Sequence, residues 1–427
     1  MKSSAEPMQN SHLRPEARSA RRSRAFREAG DQTLALVSQI ILNGSFFLVV
    51  LLASIKLEPS EFLKVAFANS LIPLIATGLD FGLNQSCLAL SFEHKKQDYV
   101  ALNLMIKAAI VALALAILGL AFALSEPSSE LILIVAGASM SFWTATRVID
   151  QYERRFRQYA LFNIALAGAR VAFGLVALTF NRWIVLIFAL HVLSQVPIQI
   201  LSVTKNRHLR LNSIDWGSLY SILRMAPITF ISAGLFSSLP LITLWLLNTK
   251  TDTHAAAAFG VVLMFLAPVD LVFLTLKVYV FPKIIETEFK KVDIFGLGQN
   301  SMYLIMIGLA AILAISIIPA GFIVDQLYDK KFPEAGSFFR IYFSCHALGC
   351  VIGLYNLQSQ RPGFVRLLLI ANMFRAGATA LIVTISGISS YQIVLWSGII
   401  IVLGEFVLAA LLMRAPNPER TTGVHQN

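Results

Sequence analysis

Arg170 and Arg375 each stand about 11 residues from both ends of a long apolar segment. If those segments are helices rising 1.5 Å per residue, each guanidinium lies about 16 Å from either end. That is too deep for the side chain to reach headgroup water. A guanidinium offers a fork of donors that suits phosphate and carboxylate oxygens. The pattern therefore points to an anion held inside a membrane. Lys107, Arg224, Lys277 and Arg340 sit about two turns or less inside their segments and either join that interior or snorkel. Lys64 is close enough to an end to snorkel. Asp80, Asp270 and Glu405 are embedded acids, the residue type that carries H+ or Na+ in transporters, and Asp150 lies near a segment end. A charge at mid-bilayer costs about 2.5–3.5 kcal/mol on insertion scales, so each must face water or a partner. Basic groups outnumber acidic ones in these segments. The expected interior is therefore net positive and suited to an anionic cargo. The competing reading is salt bridging between helices; Asp270 and Lys277, seven apart, share a helix face.

Polar residues recur at helical spacing. Gln39 and Asn43 are four apart in the first segment, and His191, Gln195 and Gln199 repeat every four in the sixth. Asn163 shares a face with Arg170, and Asn372 is one turn from Arg375. Such stripes either line a path for a hydroxyl-rich cargo or bond helices to one another. Cys345, His346 and Cys350 look like a metal cluster on paper. Residues five apart on a helix point about 140° apart, however, so the two cysteines do not readily share an ion. Packing is their expected role, and no metal is expected. Gly78–Gly82 and Gly349–Gly353 read as close helix contacts. The chain has no Walker loop, dinucleotide fingerprint or nucleophile elbow. No ATPase and no other enzyme activity is expected of it.

The elements that position these residues follow from composition. Of 427 residues, 56% are hydrophobic and only 14% charged, against about a quarter charged in soluble domains. The mean hydropathy is +0.70. Twelve membrane spans need about 240 residues, which matches the apolar share. This excludes a soluble globular enzyme, a coiled coil and a disordered chain. Charged and turn-forming residues cut the chain into helices near 33–54, 62–91, 99–124, 131–152, 159–180, 183–204, 219–247, 255–282, 295–322, 336–357, 364–386 and 391–413. The fold class is an all-α polytopic membrane protein with about twelve spans. The three cysteines lie in apolar stretches, so no disulfide framework is expected.

With both termini placed on one side, the connectors on that side hold 23 Lys and Arg and those on the other hold 5. The positive-inside rule then makes both termini cytoplasmic. This also accounts for much of the net charge of +11 without nucleic acid. Trp183, Trp216, Trp245, Trp396, Tyr99, Tyr159, Tyr220, Tyr279, Tyr303 and Tyr391 fall near segment ends, as an aromatic belt requires; Trp143 is the exception. Six arginines between Arg14 and Arg27 read as a basic cluster held against anionic lipid. The polar connector 205–218 splits the helices six and six. The expected domains are a basic tail 1–32, a six-helix bundle 33–204, the linker 205–218, a second bundle 219–413 and a tail 414–427. Sliding the second half back by 190 residues places Asp270 on Asp80, a weak mark of an internal repeat. Prolines inside spans, such as Pro73, Pro227, Pro240 and Pro268, suit a molecule that rocks between states.

Leu57-Glu58-Pro59-Ser60-Glu61-Phe62, followed by Gly78-Leu79-Asp80-Phe81-Gly82-Leu83, resembles the first loop and second helix of Wzx-type polysaccharide flippases, whose pattern is "lspeefG" then "DlGl". Leu327-Tyr328-Asp329-Lys330-Lys331-Phe332-Pro333-Glu334-Ala335, then Phe339-Arg340-Ile341-Tyr342, is similar to their "lfGekY..a...lriL" loop; Asp329 replaces the glycine and Phe332 the tyrosine. The resemblance implies the multidrug/oligosaccharidyl-lipid/polysaccharide exporter superfamily, with a MATE-like V of two six-helix bundles. It implies a protein of the bacterial inner membrane that flips a polyprenyl-pyrophosphate-linked oligosaccharide by alternating access, for O-antigen or exopolysaccharide synthesis. It also implies no bound cofactor, an H+ or Na+ gradient as driving force, and polysaccharide polymerase and chain-length machinery as partners beside membrane lipid. On this expectation Arg170, Arg375 and Arg224, aided by Arg340, Lys277, Gln39, Asn43 and His191, hold the cargo, while Asp80, Asp270 or Glu405 carry the coupling ion. The alternatives are a multidrug or cation antiporter of the same fold, which wants an acidic cavity, and a membrane polymerase or ligase, which wants a larger outer loop than 323–335. A membrane scaffold would leave the deep arginines without a use.

Overall fold

The computed structural model describes residues 15–94, 98–124, 127–153, 155–205, 216–286, 300–360, 364–385 and 387–415. The first residues of the basic tail, most of the linker 205–218, the connector 287–299 and nearly all of the last tail lie outside these, as do the side chains of 15–29 and of Lys277. The helices are α1 (Pro15–Lys56), α2 (Pro59–Asp80), α3 (Leu83–His94), α4 (Asp98–Leu124), α5 (Ser129–Tyr152), α6 (Phe156–Leu178), α7 (Trp183–Phe188), α8 (Val196–Lys205), α9 (Trp216–Lys250), α10 (Thr253–Glu286), α11 (Ser301–Tyr328), α12 (Ala335–Asn356), α13 (Val365–Thr384) and α14 (Ser390–Arg414). Among the described residues, twelve stretches are long and apolar enough to cross a membrane. Many of their outward residues are large and apolar. On α11, Ile307, Ile312, Ile315 and Ile318 all stand exposed, a surface that suits lipid and not water.

Six spans come from α1–α8 and six from α9–α14. Helix α1 packs on α6, α4 on α5, and α2 on α5 in the first half; α12 packs on α14 and α11, and α9 on α13, in the second. The halves meet through α1 and α2 against α9 and α10. The bundle has a far end, with the turns at 57–58, 251–252 and 329–334, and a near end, closer to the chain termini.

Two spans depart from the expected boundaries. The second does not run unbroken from 62 to 91. Helix α2 stops at Asp80, and Phe81 and Gly82 both take positive φ, 50° and 74°. The Phe81 N–H still bonds Thr77 O, the way a left-handed residue closes a helix. The chain then restarts as α3. Gly82 lies against α9, where an added Cβ would fall 2.2 Å from Ala226 O and Thr229 Oγ1. Gly78 has open space at the same test, so only one member of that glycine pair makes a close contact. Gly82→Ala is expected to cost about 1–3 kcal/mol through strain and collision, read as a lower unfolding temperature of the purified protein. The ninth span is shifted from 295–322 to 301–328 because Asp325 pairs with Arg340 of α12 and so tolerates a place inside the helix.

The sixth span is also irregular. Between α7 and α8, Ala189–Leu193 form one π-helical turn that contains His191. The extra residue re-aims the side chains that follow. Gln199 Nε2 donates to Ser139 O at 2.6 Å, and Ser139 Oγ donates to Gln195 Oε1 at 3.2 Å. These two glutamines therefore bond α8 and its entry to α5.

The far end is sealed between the halves. Ser54 Oγ and Tyr328 OH are 2.6 Å apart. Lys331 Nζ donates to Ser54 O (2.7 Å), Ile55 O (3.0 Å) and Leu57 O, capping the carbonyls that end α1. Phe62 packs on Phe332 with ring centres 5.8 Å apart. Ala66 sits so close to Gly260 that a Cβ there would meet it at 2.6 Å.

Candidate functional site

A cavity of about 670 Å³ lies on the second half's side of the interface. Its walls come from α9 (Ser232 to Pro240), α10 (Leu263 to Phe273), α12 (Tyr342 to Asn356), α13 (Leu368 to Arg375) and α14 (Ile401 to Leu408); Asn43 and Phe46 of α1 and Gln85 of α3 close the facing side. The lining is mostly aliphatic and aromatic. The charged and titratable groups in it are Asp270, His346, Cys350, Arg375 and Glu405, beside the phenol of Tyr342.

Two polar clusters are built into this wall. In the first, Arg375 on α13 places Nη2 2.5 Å from Glu405 Oε1 on α14 and also bonds Asn372 Oδ1 one turn earlier. Asn356 Nδ2 donates to Glu405 Oε2 at 2.5 Å and to Glu405 O at 2.9 Å. Asn372 Nδ2 in turn donates to Ser232 Oγ and O of α9, at 2.8 and 2.9 Å. Polar bonds from four helices thus meet around one ion pair. Gly404 leaves the slot in which Arg375 lies; a Cβ there would come within 2.1 Å of Nε. Gly349 and Gly353 lie against Ile401 and Glu405, so this glycine pair does form a close helix contact.

In the second cluster, His346 Nε2 is 2.6 Å from Asp270 Oδ1, and Cys350 Sγ is 3.5 Å from the same nitrogen and 3.9 Å from the same oxygen. The Tyr342 ring lies nearly parallel to the imidazole, 13° apart, one turn earlier on α12. Asp270 is 56% exposed, the freest of the embedded acids. Cys345 takes no part and packs on Gly398 of α14. The spacing of five does part the two cysteines. The spacing of four, which joins His346 to Cys350, is the informative one.

The remaining site residues fall elsewhere. Arg170 is buried in the first half, its guanidinium 5.5 Å from the centre of the Phe46 ring, and Phe46 stands between it and the cavity. It makes no ion pair among the described residues, and its Nε is without a hydrogen-bond partner. His191 meets Phe46 edge-on, 5.7 Å between centres, and both its ring nitrogens are buried without a partner. Gln39 is held in the α1–α6 contact, accepting from Tyr159 OH (2.9 Å) and Asn163 Nδ2 (3.0 Å); Asn43, one turn on, does line the cavity. Arg224 is exposed near the near end of α9. Arg340 bonds Asp325 towards the far end.

The expectation of a net-positive interior needs correcting. Three cations of the spans are matched by carboxylates, Lys107 with Asp80 at 2.8 Å, Arg340 with Asp325, and Arg375 with Glu405. Of these only Arg375 reaches the cavity, while Arg170, among the described residues, stays unpaired behind Phe46. Lys107 does not snorkel, since it is 1% exposed and also donates to Leu79 O. Asp80 is therefore tied to a lysine, while Asp270, 190 residues on, opens on the cavity. Around the cavity two carboxylates face one guanidinium and one imidazole. Trp143 leaves the aromatic belt because a buried cation needs it. The Arg147 guanidinium lies 4.4 Å from its ring centre and pairs with the fully buried Asp150 at 2.9 Å.

No protein-family model matches this sequence, and no curated protein matches it. Solved structures do match. An outward-facing conformation of a multidrug resistance MATE family transporter of the MOP superfamily superposes with a TM-score of 0.61 and 14% identity, over 93% of this chain and 96% of that one. An inward-facing conformation of such a transporter gives 0.57 at 13% identity, over 90% and 96%. A point mutant of the Vibrio cholerae MATE transporter VcmN gives 0.62 at 14% identity, over 92% and 98%. The chain thus has the MATE transporter fold, in an all-helical protein with twelve candidate spans. It is a multi-pass membrane protein.

Proposed function

We propose that this protein is a secondary transporter working by alternating access, and that its cargo is a drug-sized, amphipathic organic cation exchanged for H+ or Na+. The observation that carries this reading is the cavity: about 670 Å³, mostly apolar, with the carboxylates of Asp270 and Glu405 in its wall. That volume falls in the range of small-molecule sites, about 300–1,000 Å³. An apolar wall with one solvent-open carboxylate, Asp270, engaged only on one side by His346, suits a lipophilic cation. The same carboxylate, once protonated or bound to Na+, would release that cation. The structures of like fold include those of a multidrug resistance MATE family transporter. The positive-inside count puts the near end in the cytoplasm. In that orientation the sealed far end and a cavity reaching down to Ser359 and Leu368 support an inward-facing state.

A second reading rests on Arg170 and His191. A buried arginine with no carboxylate is costly to keep, and a swing of Phe46 would present it to the cavity. Together with the loops that resemble Wzx-type flippases, this supports a pyrophosphate-linked glycan as cargo. One pair of measurements separates the readings. In proteoliposomes with an imposed ion gradient, the protein is expected to move a fluorescent organic cation, and Asp270→Asn to abolish that movement. The cation reading fails if transport is absent while a deletion strain accumulates complete polyprenyl-linked repeat units on the cytoplasmic leaflet. In that case Arg170→Gln should reproduce the deletion without unfolding the protein.

A further inference from the structure

We propose that Asp270, His346 and Cys350 form a binding site for a thiophilic divalent metal ion of the zinc class, with one coordination position open to the cavity. The inference does not depend on which cargo the cavity carries. Three donor atoms of the types zinc takes, a carboxylate oxygen, an imidazole nitrogen and a sulfur, lie within 4.8 Å of one another. Zinc bonds near 2.0–2.3 Å at tetrahedral angles place donor atoms about 3.4–3.6 Å apart. The two sulfur edges, 3.5 and 3.9 Å, already stand close to that spacing. Only the nitrogen–oxygen edge, 2.6 Å, must widen, and it belongs to the exposed Asp270 side chain, which is free to turn.

The placement supports the same conclusion. His346 and Cys350 are one turn apart on α12 and point the same way, while Asp270 comes from α10, which packs against that face. The Tyr342 ring fixes the plane of the imidazole. All three ligand residues line the cavity, so three protein donors would leave the fourth position to water or to a group on the cargo, the pattern of open zinc sites. Binding would replace the Asp270–His346 hydrogen bond, leave the imidazole with its one proton on Nδ1 so that Nε2 can ligate, and release the Cys350 thiol proton.

The test uses the full chain, purified in detergent, reduced and stripped of metal, then titrated with Zn²⁺ and with Co²⁺. One ion per chain is expected, and the cobalt form should show an intense tetrahedral spectrum with a thiolate-to-metal charge-transfer band. Cys350→Ser should remove that band and weaken binding more than about tenfold, His346→Asn should weaken it similarly, and Cys345→Ser should change neither. No ion bound per chain, or a spectrum and affinity unchanged by Cys350→Ser, would overturn the proposal. Should Cys350→Ser fail to fold, the rate at which a maleimide modifies Cys350 in the Cys345→Ser protein decides the question. Protection by Zn²⁺ supports the site, and an unchanged rate refutes it.

Discussion

Glu405→Ala is expected to be the most destabilising single substitution in the cavity wall, at about 3–5 kcal/mol. The reason is what it leaves behind. Arg375 is 1% exposed and Glu405 13%, so the pair has been taken almost wholly out of water. Removing the carboxylate strands a guanidinium in a slot cut by Gly404, with only Asn372 to satisfy it. It also takes from Asn356 Nδ2 the side-chain acceptor at Glu405 and leaves it only the main-chain carbonyl of that residue. Replacing both partners together, Arg375→Met with Glu405→Leu, should recover most of the loss, because a well-packed apolar pair of similar volume avoids the desolvation cost. Transport should be lost in the single and in the double variant alike if the pair also serves the cargo or the coupling ion. Thermal unfolding and cation transport, measured on the same three proteins, separate the two roles. A Glu405→Ala protein as stable as the parent would show that the pair is not desolvated.

The architecture is open to inspection in the sequence because lipid imposes a simple demand. Each span needs about 20 apolar residues, and the chain supplies twelve such runs in two sets of six. Helix boundaries are less legible where a span departs from a regular helix. The break after Asp80 has a signal, a glycine two residues on, but Phe81 in a left-handed conformation is unusual enough that no pattern announces it. The site is legible in parts. Arg375 and Asn372, one turn apart, do lie together in the cavity wall. Their acidic partner cannot be chosen from sequence, because Glu405 arrives on another helix and competes with Asp80 and Asp270 for the same role. Depth along a helix says nothing of direction around the bundle. For that reason Arg170 and Arg375, alike in depth, differ in surroundings: one lies behind Phe46 and the other is paired at the cavity. The Asp270–His346–Cys350 cluster joins residues 76 and 80 positions apart, which only the packing of α10 on α12 can reveal.

Lys331→Met should open the far end. The ammonium of Lys331 bonds three of the carbonyls with which α1 ends, and those carbonyls have no partner further along the helix. Its charge also lies where the helix dipole favours a cation. Lys331 belongs to the turn before α12, in the second half, and α1 belongs to the first, so this bond exists only while the halves are closed on that side. Hydrogen bonds to a charged group contribute about 1.5–3 kcal/mol each. Even one such contribution lost from the closed state alone moves the balance between states by about tenfold or more. Methionine keeps the length and the packing of the side chain on Phe332 and removes only the charge. Ser54, fully buried in this contact, is a suitable reporter as Ser54→Cys in a background where Cys87, Cys345 and Cys350 are replaced. Its labelling by a membrane-impermeant maleimide should rise by about tenfold with Lys331→Met and should stay level with Lys330→Met, which changes the exposed neighbour. An unchanged rate in the Lys331 variant would mean that the aromatic and alanine contacts beneath, Phe62 on Phe332 and Ala66 on Gly260, hold the far end without help from the charge.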